Sequence, residues 1–411
     1  MRRATLRMAA VAALVVAKPA AADTVSDWWE FANRITSAAQ ASATPDQQRA
    51  LTRVSLAMFE AVNAIDRRYE SYLGFPAGDR TASQDAAAAS AAYHVLLHHF
   101  PAQKTVFDDT YAISMASIPD GAAKEAGRLI GQAAAAAAQT AGGIDSTIVQ
   151  VPYRPRTEPG VWIGASLPML APHFAAYRPW AIPSADALMP PPPPAMGSER
   201  WARDAEEVRR LGARASTERT PLQTLMARFR ELPDLTPSLR RAAEAPGRTM
   251  VQNARMFALL QMASDDATQA MVVAKLHYNF WRPITSIRNA ADDGNDGTAA
   301  EAAWVPLLGT PNFPEYPCGH CAYAGALATV MQSEVGQSPA WGVRVSSGSV
   351  PNAVVQVLPS WDEWVRQVSD SRMYGGVHYR FSNDAGEEIG RRAARMVLER
   401  VARPLAQNAR R

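Results

Sequence analysis

The segment FPEYPCGHCAYAGA, residues 313–326, joins a proline-rich approach to the start of an alanine-rich helix. Two prolines restrict the backbone before Cys318, and the alanines favour helix because alanine loses no side-chain entropy. The free N–H groups at the start of such a helix can bind an anion, and Gly319 lets the backbone approach a ligand closely. His320 would lie in the first turn, where it could exchange protons with a bound group.

The same segment carries the only two cysteines of the chain, in the order Cys318-Gly-His-Cys321. This is the spacing of a thiol–disulfide centre, but a thioredoxin-like protein also needs a preceding strand and a βαβ pattern, and neither is visible. Two cysteines are too few for a disulfide scaffold. A disulfide between Cys318 and Cys321 that reshapes the anion pocket stays open as a hypothesis, to be tested by oxyanion affinity with and without reductant.

Away from this segment, the hydrophobic pattern is helical almost throughout. Apolar residues recur at helical spacing between Val54 and Ile65 and between Met250 and Met262. Capping boxes at Thr220 and Ser360 mark helix starts. The predicted fold class is all-α. The helices are expected to form helix bundles in two halves, each resembling a four-helix bundle. At most a small β-hairpin is expected, in VRVSSGSVPNAVVQV, residues 343–357.

Composition divides the chain into four parts. Basic residues, an apolar run and three alanines predict a signal peptide over residues 1–22, hence export to the periplasm or the cell exterior. A stiff Pro-rich connector, residues 190–197, separates an N-terminal helical half, 23–189, from a C-terminal half, 198–411, that holds the candidate site. No later stretch approaches the roughly 20 apolar residues of a membrane span.

Charge restricts the class of partner. Removal of the signal peptide leaves 38 basic residues against 39 acidic ones, so no basic face and no nucleic-acid partner are expected. The oligomeric state is not indicated by the sequence.

Two further segments carry chemistry. In KLHYNFWRP, residues 275–283, Lys275 and Arg282 are two helical turns apart, so one helix face would present both cations to an anion. Pro283 disfavours helical geometry at Arg282, which places this arginine at the helix end, pointing into a loop. In SRMYGGVHYRFSNDAG, residues 371–386, Arg372 ends a helix and His378 follows a Gly-Gly turn. A guanidinium donates in a fork to an oxyanion, and an imidazole nitrogen can attack phosphorus or bind a metal. Taken singly, the first segment also fits a solvated stripe of charge on a helix, and the second fits a histidine in the core or at the surface.

Together these three segments resemble the signature of the vanadium-dependent haloperoxidases and of the type 2 phosphatidic acid phosphatase superfamily. The matching elements are lysine, six residues and Arg-Pro, then Pro-x-Gly-His, then Ser-Arg, five residues and histidine. Other stretches, such as WVPLLGTPNFPEYP, are similar to the bacterial secreted haloperoxidase-like branch, and the likeness covers most of residues 27–400.

The resemblance implies a role for each matching position. The cofactor would be vanadate, with phosphate able to occupy the same site, and the substrates hydrogen peroxide, a halide and an organic acceptor. His378 would be the apical ligand of vanadium, and His320 the general acid–base. The groups that bind the oxyanion would be Lys275, Arg282, Cys318, Gly319, Arg372 and His378, with Phe313 close to the halide.

Two alternatives share these residues. One is a soluble acid phosphatase that acts on a phosphate ester through a phosphohistidine at His378. The other is a non-catalytic oxyanion-binding homologue. Vanadate readily adopts the five coordination of a phosphoryl-transfer transition state, so one pocket suits both chemistries.

The chain departs from the family pattern at two positions. Cys318 replaces a serine, and a thiol is a poor hydrogen-bond donor and oxidises readily. Ser382 stands where many relatives have an aspartate four residues after the apical histidine. Asp384 is a candidate to orient the His378 ring instead, and Asp370 is a candidate to pair with an arginine.

Overall fold

The computed structural model describes residues 23–39, 44–144, 153–164, 169, 172–350 and 355–406. The predicted signal peptide lies outside these residues. The α-helices are α1 (Thr24–Ala39), α2 (Pro45–Gln48), α3 (Ala50–Ile65), α4 (Gln84–His99), α5 (Lys104–Ala116), α6 (Ala122–Gln139), α7 (Glu199–Gly212), α8 (Pro221–Phe229), α9 (Thr236–Ala243), α10 (Met250–Tyr278), α11 (Pro283–Arg288), α12 (Gly319–Val335), α13 (Trp361–Tyr374) and α14 (Arg380–Arg400). The predicted all-α class is confirmed. None of the described helices is both long enough and apolar enough to cross a bilayer.

A small antiparallel sheet is the exception to helix. The predicted hairpin forms from β2 (Val343–Ser347) and β3 (Gln356–Leu358), and a short β1 (Pro233–Asp234) pairs with the other edge of β2. The third strand was not predicted, because two residues are too few to show the alternation of a strand.

The core joins helices from both sides of the proline connector. Buried residues of α1, α3 and α4 belong to the same hydrophobic cluster as those of α10, α12 and α14. The division into two halves stays a prediction. The connector itself packs on the C-terminal helices, where Tyr278 Oη donates to the carbonyl of Pro190 (2.5 Å) and Tyr316 Oη to that of Pro191 (2.6 Å).

Two glycines on one face of α14 allow close packing on α12. A Cβ on Gly386 would lie 2.2 Å from the carbonyl oxygen of Cys318, and one on Gly390 would lie 2.0 Å from that of Ala322. No side chain fits at either position, so the two helix backbones approach each other closely. This contact brings the start of α14, just after His378, beside the start of α12.

A second, aromatic cluster packs beside these helix starts. Its members contact one another through stacked and edge-on rings, as between Trp201 and Trp281 and between Tyr379 and Phe381. Tyr379 Oη also lies 2.6 Å from Ser286 Oγ on α11. The residues next to Arg282 and His378 are thereby held in rigid surroundings.

Candidate active site

Lys275 and Arg282 lie on different helices, so the prediction of one helix face that carries both cations is wrong. The helix α10 ends at Tyr278, and Asn279 caps it in the left-handed conformation (φ 45°), with its N–H bonded to the Lys275 carbonyl. Arg282 is the N-cap of α11, which begins with Pro283. A bend between two helices therefore brings the cations together.

Both cations are buried against the backbone of the FPEY segment. Lys275 Nζ donates to the carbonyls of Pro314 (2.9 Å) and Glu315 (2.6 Å), and Arg282 Nε donates to that of Phe313 (3.0 Å). The Phe313 ring lies 5.0 Å from Lys275 Nζ and 4.9 Å from Arg282 Cζ. Burial, and then the charge of Arg282, lowers the pKa of Lys275 well below its ordinary value.

The tautomer of His378 follows from its two partners. Its Nε2 lies 3.2 Å from Arg282 Nη1, and its Nδ1 lies 2.7 Å from Glu315 Oε1. Arginine only donates, so Nε2 accepts and the ring proton is on Nδ1, which donates to the glutamate. Burial, and then Arg282, lowers the pKa of His378 well below its ordinary value. A neutral imidazole therefore directs its lone pair toward the cations.

Glu315 is a site residue that the sequence analysis missed. It is fully buried, and burial raises the pKa of its carboxyl to about 7. Asp384, the carboxylate expected to orient His378, pairs instead with Arg200 (3.3 Å). Asp370, the candidate partner of an arginine, pairs with Arg366 and Arg380. A glutamate between aromatic residues and prolines, directly before the anion-binding helix, was the available signal.

Arg372, near the end of α13, has unused hydrogen-bonding capacity. Its side chain is buried, and neither Nε nor Nη1 has a hydrogen-bond partner among the described residues. The same holds for Nη2 of the buried Arg282. Burial lowers the pKa of both guanidinium groups, to about 10 in Arg282. Buried polar atoms are nearly always hydrogen-bonded in proteins, so these three nitrogens indicate a missing acceptor.

His320 lies in the first turn of α12, as predicted, and is partly exposed. Its Nε2 is 2.9 Å from the carbonyl oxygen of Glu231, which follows α8. Because a carbonyl only accepts, Nε2 carries the proton and Nδ1 is the available base. Burial, and then the charge of Arg372, lowers the pKa of His320 to about 3.

Cys318 is the N-cap of α12. Its Sγ accepts the Cys321 N–H at 3.2 Å, and its side chain is buried. Gly319 is the first helical residue, and its N–H has no acceptor within the helix. The start of α12 therefore adds a neutral donor beside the cations.

The five residues predicted to surround an oxyanion do converge. Electrostatic interactions with Arg282, Lys275, Arg372 and His320 all lower the pKa of His378. Three unpaired guanidinium nitrogens and the remaining donor of Lys275 fit the several oxygens of vanadate or phosphate. The donor set thus matches a tetraoxo anion, and the Cys318 thiol is its one weak member.

Comparisons with known proteins match the part of the chain that carries this site. Residues 255–407 match the family model of the VCPO second helical-bundle domain. Vanadium chloroperoxidase from Curvularia inaequalis is 26% identical over 180 residues, a match that covers 33% of this chain and 29% of that protein. The chain thus aligns with less than a third of that relative's length.

Solved structures show the same fold over nearly the whole chain. A bacterial vanadium-dependent iodoperoxidase superposes with a TM-score of 0.76 at 20% identity, covering 93% of this chain and 98% of that one. The holo form of a bacterial vanadium-dependent chloroperoxidase superposes with a TM-score of 0.65 at 16% identity, covering 93% of each chain.

The matched region, residues 255–407, contains every site residue that the resemblance implied, as well as Glu315. The resemblance is confirmed: this part of the chain matches the family model of the VCPO second helical-bundle domain, and the fold is that of bacterial vanadium-dependent haloperoxidases.

Proposed function

We propose that the protein is a haloperoxidase-like enzyme that oxidises a halide with hydrogen peroxide at a bound vanadate. The observation that carries the proposal is the set of three buried guanidinium nitrogens, on Arg282 and Arg372, that lack a partner in the described part of the chain. Buried cations without acceptors destabilise a fold, and an oxyanion would satisfy them. Bound vanadate would supply Lewis-acid activation of the peroxide.

The cationic groups of the chain would hold the oxyanion. Arg282 Nη2 and Arg372 Nε and Nη1 would donate to its oxygens in directional, charge-assisted hydrogen bonds. Lys275 uses two of its three donors on carbonyls, so it would contribute one hydrogen bond and its charge. The Gly319 N–H would add a neutral donor.

The two histidines would act from different nitrogens. Glu315 keeps the proton of His378 on Nδ1, so the lone pair of Nε2, which accepts from Arg282, would be the one to bind the central atom. His320 donates through Nε2 to a carbonyl, so Nδ1 would take and return protons. A bound anion would raise the pKa of His320 from about 3 toward a value suited to proton transfer.

Phosphoester hydrolysis is the second candidate, and two observations favour it. The lone pair on His378 Nε2 suits a nucleophile as well as a ligand. The Cys318 thiol in the pocket would oxidise beside activated peroxide, whereas hydrolysis would leave it intact.

One pair of assays separates these functions. The protein is incubated with vanadate, peroxide and bromide or chloride, and halogenation of a dione reporter is followed; hydrolysis of an aryl phosphate is followed without vanadate. Halogenation that phosphate inhibits supports the haloperoxidase, and hydrolysis that vanadate blocks supports the phosphatase. If neither activity is found, the result supports a non-catalytic oxyanion-binding protein.

A matched pair of variants ties the activity to the site. His378→Ala should abolish whichever activity is found. His277→Ala, an exposed histidine on α10, should retain it. Equal activities of the two variants would contradict the proposed role of His378.

A further inference from the structure

The two cysteines form a pair at the start of α12 that the oxyanion chemistry does not use. Cys318 is the N-cap and Cys321 the third helical residue, with the Cys321 N–H donating to Cys318 Sγ at 3.2 Å. A helix N-terminus stabilises negative charge, so this position favours the thiolate of Cys318. A Cys-X-X-Cys pair that opens a helix is the arrangement of thiol–disulfide centres.

The surroundings of Cys318 add a second, independent stabilisation of negative charge. Arg372 and Lys275 both act on its sulfur electrostatically, and the Nε and Nη1 of Arg372 have no partner within the described ranges. Burial raises the pKa of the Cys318 thiol, but the hydrogen bonds from Cys321 and the charge of Arg372 outweigh burial and leave the pKa below its ordinary value.

Cys321 has the opposite environment. Its Sγ donates to Asn383 Oδ1 at 3.4 Å, and Asn383 is fixed in turn by a hydrogen bond from its Nδ2 to the carbonyl of Ser369 (2.8 Å). Burial raises the pKa of the Cys321 thiol well above its ordinary value. Negative charge is thus favoured on Cys318 and disfavoured on Cys321, which is the asymmetry of an attacking and a resolving cysteine.

We propose that Cys318 and Cys321 form a peroxide-reducing dithiol, a second activity in the same pocket that needs neither vanadate nor halide. The Cys318 thiol releases its proton, and the thiolate attacks one oxygen of hydrogen peroxide. An S–O bond forms as the O–O bond breaks, the leaving hydroxide takes up that proton and departs as water, and Cys318 becomes a sulfenic acid. Cys321 then loses its proton and attacks that sulfur, forming the disulfide and releasing a second water. An external dithiol returns two electrons and two protons by thiol–disulfide exchange.

Peroxide would approach Cys318 from the side of His320. Cys318 is closed to bulk solvent, whereas His320 in the same helical turn is partly exposed. The helix lies in an all-α fold, so the dithiol activity does not depend on a thioredoxin-like architecture.

The test uses the reduced full chain in buffer without vanadate or halide. On addition of peroxide, the wild type should lose both thiols and two hydrogens of mass. Cys321→Ser should stop at a sulfenic acid on Cys318 that dimedone traps. In Cys318→Ser, the remaining thiol should react at least about tenfold more slowly than Cys318 does in Cys321→Ser, because it is mostly protonated at neutral pH.

A measurement on the wild type alone covers the case that a variant fails to fold. With peroxide below one equivalent, site-resolved mass spectrometry should find the first oxidation on Cys318. Equal rates in the two variants, or first oxidation at Cys321, would overturn the proposal. Because vanadate and halide are absent, this result is independent of whether the protein halogenates.

Discussion

Replacement of Arg372 by methionine should stabilise the protein in the absence of a bound anion and should greatly weaken anion binding. The change removes a buried guanidinium with two nitrogens that lack partners in the described structure. A buried donor without an acceptor costs about 1–3 kcal/mol, and a charged one more, so the free energy of unfolding should rise by about 1–3 kcal/mol without anion. A structural arginine would show the opposite sign.

The loss of anion binding can be estimated from the same two nitrogens. Hydrogen bonds to charged groups are worth about 1.5–3 kcal/mol each, so the loss of two should weaken phosphate binding at least about a hundredfold. At phosphate equal to about 100 times the wild-type Kd, the wild type should gain about 2.7 kcal/mol of stability and the variant about 0.4 kcal/mol.

Thermal and urea unfolding with and without phosphate measure both effects. Arg366→Met is the matched control, because Arg366 lies on the same helix, is exposed and pairs with Glu363 and Asp370. This control should change the free energy of unfolding without phosphate by no more than about 1 kcal/mol, and it should keep the full gain in stability with phosphate. If Arg372→Met lowers stability without phosphate and keeps the full gain with it, the reasoning is refuted.

Three other predictions follow from the site. Glu315→Gln removes a carboxyl whose pKa rises from 4.5 to about 7 on folding. Because the folded wild type holds this proton more tightly than the unfolded chain does, its free energy of unfolding relative to the variant should fall by about 3 kcal/mol as the pH rises from 4.5 to 7. Urea unfolding curves that differ equally at both pH values would contradict this. Binding of sulfate below pH 7 should take up protons, because burial and then the charge of Arg372 lower the pKa of His320 to about 3 and a bound anion raises it. Calorimetry in two buffers of different ionisation enthalpy counts these protons, and proton release would contradict the prediction. Cys318→Ser should raise halogenation turnover of the vanadate-loaded protein, since a hydroxyl donates better than a thiol and resists oxidation, and an unchanged turnover would exclude the thiol as the handicap.

The sequence predicted those parts of the site that depend on local chemistry. Capping at Thr220 and Ser360, the helix start at Cys318 and the end of α13 near Arg372 all follow from side chains that act within a few residues. The convergence of three distant segments came only from the family resemblance. In the structure it depends on packing, above all on Gly386 against Cys318, which no periodicity shows.

Two features of the site could not be predicted from the sequence, each for a physical reason. The bend between Lys275 and Arg282 depends on Asn279 in a left-handed conformation, which asparagine tolerates but does not require. The partner of His320 is the backbone carbonyl of Glu231, and any residue at that position would supply the same atom. Such a contact leaves no trace in residue identity, so it is found only in coordinates.

An oxyanion and the Cys318 thiolate compete for the charge of Arg372 and Lys275, so their chemistries should be negatively coupled. By linkage, the factor by which a bound oxyanion disfavours the Cys318 thiolate equals the factor by which the thiolate weakens oxyanion binding. At phosphate equal to about 100 times its Kd, only about 1% of pockets are empty, so oxidation of Cys318 by peroxide should slow about a hundredfold. Thiol loss measured over a phosphate titration should follow the binding curve, with sodium perchlorate at equal ionic strength as the control. A rate that stays constant while phosphate binds would place the reactive thiolate outside the cationic pocket, and the common electrostatic origin of the two activities would have to be abandoned.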